Sequence, residues 1–134
     1  MKIKFKFVKI YFYILLMISS FILFLGDKNI DVYGALLLIL GTFPIFGILY
    51  KVSFNRFSDG IENKRPELFS KYKTTFGVVR RINGFELLNN SDFEKLDDKE
   101  LIESLKLTKQ LFSLTIISFF TIIILGISFM LIKR

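Results

Sequence analysis

Leu111–Ile132 is a run of twenty-two residues with no charge, LFSLTIISFFTIIILGISFMLI, and it restricts the fold more than any other stretch. As one helix it is long enough to cross a hydrocarbon core about 30 Å thick. Fifteen of its residues are Leu, Ile or Phe. Each of these favours insertion by roughly 0.3–0.6 kcal/mol, which outweighs the small costs of the Ser and Thr residues among them. The stretch therefore reads as a transmembrane helix, and the rest of the chain must be fitted to it. At 134 residues and 52% hydrophobic, the chain is too apolar for an ordinary soluble domain of this length.

Two shorter apolar runs precede it. Residues 8–25 are uncharged apart from Lys9, whose ammonium can snorkel to headgroups. A cleavable signal peptide is the competing reading of this basic, then apolar, start. The run exceeds a usual signal core and Phe24-Leu25-Gly26-Asp27 is a poor cleavage site, so a retained span is expected. The opening Lys2, Lys4, Lys6 alternating with Ile3, Phe5, Phe7 reads as an interfacial lead-in. Gly26–Asp31 has turn composition, with Asp31 able to cap the helix that follows. So short a link makes the first two spans antiparallel neighbours. Residues 32–50 form the second span, flanked by Tyr33 and Tyr50 as interfacial anchors. Pro44 should bend it, and Gly34, Gly41 and Gly47 let another helix approach closely. In the third span Thr115, Ser118 and Thr121 recur at helical spacing, and Ser118 is a candidate for helix–helix packing.

Between Lys51 and Gln110 the character reverses. Lys51–Arg81 carries eight basic and three acidic residues, and Ile82–Gln110 four basic and seven acidic. The two halves can fold on each other, or the first can lie on anionic headgroups. Lys64, Arg65, Lys71, Lys73, Arg80 and Arg81 are the candidate headgroup ligands. Pro66 suits a first helical position, and Leu68, Phe69, Tyr72 and Phe76 share a helical face that Gly77 would end. Ser91-x-x-Glu94 and Asp97-x-x-Glu100 are capping signatures. No breaker stands between Asp98 and Ile132, which predicts one continuous helix of about 35 residues, two to three turns longer than the bilayer requires.

The expected fold is an all-α membrane protein in three parts. Residues 1–50 form an N-terminal transmembrane hairpin, 51–110 a mostly helical, amphipathic and charged cytoplasmic connection, and 111–134 a C-terminal transmembrane helix whose inner end extends into the cytosol. The N-terminal segment and the connection hold sixteen of the nineteen Lys and Arg residues. The positive-inside rule puts both in the cytoplasm of a bacterial cell, across its inner membrane from the C-terminus.

Chemistry is sparse. Cysteine and histidine are absent, which removes thiol chemistry and the commonest base and metal ligand. No ionisable residue lies within the three core spans, against proton relays and ion pathways. Asp92 and Glu103 have the separation of the first and twelfth positions of a calcium loop, but Asp97 stands where the turn requires Gly. No phosphate-binding or dinucleotide motif is present. The expectation is a non-enzymatic interaction or regulatory component without cofactor or metal. Its partners are membrane lipids and itself or a larger membrane protein, not nucleic acid. Other readings are an immunity protein against a membrane-directed toxin and a holin-like pore former, although the short Lys133-Arg134 tail lies on the wrong side for the latter.

From Pro66 onward the layout resembles the universal stress protein B family of small bacterial inner-membrane proteins. The matching residues are Pro66-x-Leu68-Phe69-x-x-Tyr72, Asp97-Asp98-x-Glu100-Leu101-Ile102, and Phe112-x-Leu114-Thr115 entering the last span. This chain differs in having two spans ahead of the loop and an extra residue after the Asp pair. The resemblance implies membrane location and a stress-linked role.

Overall fold

The computed structural model describes residues 5–27, 30–76 and 78–132. The lead-in lysines Lys2 and Lys4 and the proposed helix stop at Gly77 lie outside them, as do Lys28 and Asn29 of the first turn. The elements are α1 (Phe5–Leu25), α2 (Asp31–Gly41), α3 (Phe43–Lys64), α4 (Pro66–Tyr72), β1 (Lys73–Phe76), β2 (Val79–Ile82), α5 (Gly84–Asn89), a single 3-10 turn (Ser91–Phe93) and α6 (Lys99–Ile132). They form two compact units, residues 1–49 with 110–134, and residues 50–109.

Three stretches are long and apolar enough to cross a membrane: Phe7–Leu25, Asp31–Lys64 and Lys99–Ile132. The most apolar part of the last has a mean hydropathy of 2.6, yet only 6% of it is buried. Phe21, Ile48, Phe120 and Ile124 are all more than half exposed. Apolar surface on this scale does not suit helices bathed in water.

In the first unit α1 lies against α2. Asp31, Gly34 and Leu38 are buried at helical spacing and form α2's inner stripe. Asp31 is the first residue of α2 and not its cap, a position occupied by Ile30. An acid in the first turn is still favoured by the helix dipole. The second apolar run is interrupted just before Pro44. The helix stops at Gly41, passes through Thr42 at φ −116° and ψ −80°, and restarts at Phe43. Pro44 cannot donate to Leu40, and the hydroxyl of Tyr11 on α1 donates to the carbonyl of Gly41 at 2.8 Å. A neighbouring helix thus satisfies a carbonyl beside the break.

In the unit of residues 50–109, α3 runs fourteen residues past Tyr50, to Lys64. Phe57, Ile61, Phe69, Ile82, Leu87, Phe93, Leu96, Leu101 and Leu105 make its core. Phe93 anchors it by packing edge-on to Phe57 and tilted against Tyr72, at centroid distances of 5.9 and 5.3 Å. The amphipathic helix from Pro66 is shorter than the periodicity predicts. It ends at Tyr72, and Phe76 belongs to a strand. β1 and β2 pair antiparallel, with Lys73 opposite Ile82 and Phe76 opposite Val79. Thr74-Thr75 and Val78-Val79 are β-branched pairs around the turn, and these favour a hairpin over a helix. The connection is therefore helical with one two-stranded insertion.

The start of α6 differs in detail from its capping signature. Asp98, not Asp97, caps it, its carboxylate accepting from the Leu101 N–H at 3.0 Å. The Ser91 signature yields the 3-10 turn instead, capped by the Asn90 side chain. Beyond Asp98, α6 runs unbroken for 34 residues. That is the length its lack of breakers predicts.

Candidate functional site

Two groups of residues could meet a partner, one in each unit. In the apolar unit, α1, α2 and α6 leave a cleft of about 310 Å³ between them. Its walls are Leu23 of α1, Asp31, Val32, Ala35, Leu36, Leu38 and Ile39 of α2, and Ile122, Leu125, Gly126 and Phe129 of α6. The lining is almost wholly apolar, with Asp31 its one ionisable residue. Ala35 and Gly126 are small, and a Cβ built on Gly126 would meet nothing within 4 Å. The cleft can accept large apolar side chains and has no constellation able to break a bond.

The four residues singled out for helix packing fall in different places. Gly34 lies against α1, where a Cβ would sit 3.0 Å from the Leu23 nitrogen and 3.0 Å from Ile22 Cγ2. Gly41 also faces α1, 2.7 Å by the same measure from Leu15 Cδ2. Gly47 has open space around it. Ser118 is buried, with its hydroxyl donating to the Leu114 carbonyl at 2.6 Å within its own helix. Two of the glycines thus serve packing inside the chain. Gly126 was not among the candidates, although a helix-weakening glycine inside an otherwise Leu, Ile and Phe run is itself a signal.

The six candidate headgroup ligands belong to the second unit. Lys64 Nζ lies 2.8 Å from Asp98 and 3.3 Å from Glu100. Lys71 is 3.1 Å from Asp92, Arg81 2.7 Å from Asp59, and Arg65 3.8 Å from Glu67. The basic half thus pairs with the acidic half through Lys64 and Lys71. Lys73 and Arg80 make no ion pair among the described residues. They stand on opposite strands of the hairpin, opposite Ile82 and Thr75. Among the described residues no three acidic side chains converge as a metal-ligand set.

These pairs set the unit's response to acid. The Tyr72 hydroxyl, donating at 2.6 Å, and then Lys71 hold the Asp92 carboxyl below the usual carboxylate range. Lys64 and then the Leu101 amide do the same for Asp98, and Lys109 for Glu94. A carboxyl lowered in the folded state contributes stability above its unfolded value, near pH 4, and that contribution is lost as pH falls through the folded value. Hydrogen-exchange protection in residues 50–109 is therefore expected to hold from neutrality to about pH 5 and to decline below about pH 4. The decline should be modest, because these groups remain in contact with water. Asp92→Asn should flatten part of it.

Compared with known protein families, with curated proteins and with solved structures, the chain matches none.

Proposed function

We propose that this chain is a non-enzymatic, three-span protein of a bacterial cytoplasmic membrane that acts by seating a transmembrane helix of another subunit, either a second copy of itself or a larger membrane protein. The observation that carries the reading is the cleft between α1, α2 and α6, an apolar recess with the small residues Gly126 and Ala35 in its lining, in a unit whose outer surface is apolar as well. Small residues are what let helix backbones approach one another in lipid, where the hydrophobic effect supplies no attraction. Gly47, with nothing near it, offers a second close approach on α3. In this reading the N-terminus and residues 50–109 are cytoplasmic, by the bias of Lys and Arg to one side. The resemblance from Pro66 onward would make the contact part of a stress response.

The absence of native cysteine makes crosslinking clean. Leu36 lines the cleft and is 45% exposed. Leu36→Cys and Gly126→Cys chains, treated in native membranes with a bismaleimide, should each yield a discrete larger species, a dimer or a defined heteromer. Recovery of monomer alone from both would contradict the proposal.

A further inference from the structure

The unit of residues 50–109 has one end at which the chain both enters, at Tyr50, and leaves, at Lys109. Ser53 Oγ and Thr108 Oγ1 are 2.7 Å apart and hold α3 beside α6 within a turn of those two points. The start of α5 is at the same end. A Cβ on Gly84 would lie 3.7 Å from the Tyr50 hydroxyl and 3.8 Å from the Phe54 ring. Leu87, fully buried, fastens α5 to the core, while Phe85 is left 73% exposed. Lys51 and Val52 on α3, and Lys106 on α6, are exposed within a turn of Tyr50 and Lys109.

We propose that this end is a bilayer-contact surface, with the Phe85 ring entering the acyl boundary and Lys51 and Lys106 meeting the phosphates of anionic lipid. The inference rests on the reading of α3 and α6 as helices that continue into a membrane. Given that continuation, the end bearing Tyr50 and Lys109 is the one brought to the interface. An exposed aromatic ring and lysines at one end match the composition that interfacial segments use, with the apolar group sunk about 5–10 Å at the headgroup boundary. The same geometry separates this end from the other cations. Lys64 lies fourteen residues along α3 from Tyr50, about 20 Å at 1.5 Å per residue, and is already engaged by Asp98 and Glu100. Headgroup binding thus falls to Lys51 and Lys106 in place of Lys64 and Arg65. The hairpin turn, where Val78 is fully exposed, adjoins strands tied to the C-terminal part of α3 through Arg81–Asp59 and Ile82–Ser58. It should stay in water.

The chain has no tryptophan, so single-Trp variants report without background. Phe85→Trp, Val78→Trp and Phe120→Trp would be made in the full-length chain and reconstituted into vesicles containing anionic phosphatidylglycerol, with or without acyl-chain-brominated lipid. The expected result is blue-shifted emission, with most of it lost to brominated lipid, for Phe85→Trp and Phe120→Trp, and neither change for Val78→Trp. Water-like, unquenched emission from Phe85→Trp beside a quenched Phe120→Trp would overturn the proposal and leave the spans intact, as when a soluble protein covers this end. Quenching of all three alike would also overturn it, because the end would not be selected. An unquenched Phe120→Trp would remove the membrane reading and this inference with it.

Discussion

Phe57→Ala should unfold residues 50–109 while the apolar helices stay inserted. Phe57 is fully buried and packs edge-on with Phe93, which also packs against Tyr72. Truncating a buried Phe to Ala removes about 3–5 kcal/mol, part from transfer and part from the cavity left behind. A core for some sixty residues rarely supplies more than about 3–5 kcal/mol in total. The loss and the whole are of the same size, so the effect is a change of state and not a slight loosening. In proteoliposomes, trypsin should then cut rapidly at Lys64, Lys71, Lys73, Arg80 and Arg81, whereas the parent chain resists at the sites inside the unit. Leu68→Ala is the comparison, since Leu68 is only partly buried against the core and should cost much less. Equal trypsin resistance in the Phe57→Ala and parent chains would mean that this core does not hold the unit together.

Gly34→Leu is expected to separate α1 from α2. The atoms a side chain would strike at Gly34 are the Leu23 backbone nitrogen and the branched Cβ and Cγ2 of Ile22, none of which can swing aside. At Gly41 the obstacle is a Leu15 methyl, the mobile end of a flexible side chain. Both glycines are close-packed, but only the first is backed by fixed atoms. Overpacking of this kind costs about 1–3 kcal/mol, which lowers the equilibrium constant for the closed pair about five- to 150-fold. The closeness of Leu15 to Gly41 supplies the readout. A Leu15→Cys, Gly41→Cys chain should form an internal disulfide readily, and adding Gly34→Leu should slow its formation about tenfold. An unchanged rate would place Gly34 outside the helix contact.

Where the sequence was a good guide, a single physical signal dominated. The 34 residues of α6 were legible because nothing in them breaks a helix and Asp98 stands ready to cap it. The extension of α3 to Lys64 was hidden by a shift in composition at Lys51. Charge begins there, but charge reports a change of solvent, not of backbone, and the first true breaker is Pro66. The hairpin was missed because Leu68, Phe69, Tyr72 and Phe76 sit at helical spacing, and a helix with that face would be stable if built. Tertiary pairing decided otherwise: the Ile82 amide donates to Ser58 on α3, and the Asn83 amide donates to the Tyr72 carbonyl. The six candidate cations were visible as a basic half, but the engagement of Lys64 and Lys71 by acids 21 to 36 residues away is a product of folding. The cleft belongs to no single stretch, since α6, far along the chain from α1 and α2, completes its lining.

The proposed topology crosses the membrane three times with residues 50–109 on the cytoplasmic side. Asp27 in the first turn and Glu62 near the end of α3 are both exposed, and no native cysteine competes with a label. Asp27→Cys should react with a membrane-impermeant maleimide in intact cells, whereas Glu62→Cys should react only after the cells are opened. Labelling of Glu62→Cys from outside an unbroken membrane would contradict the account.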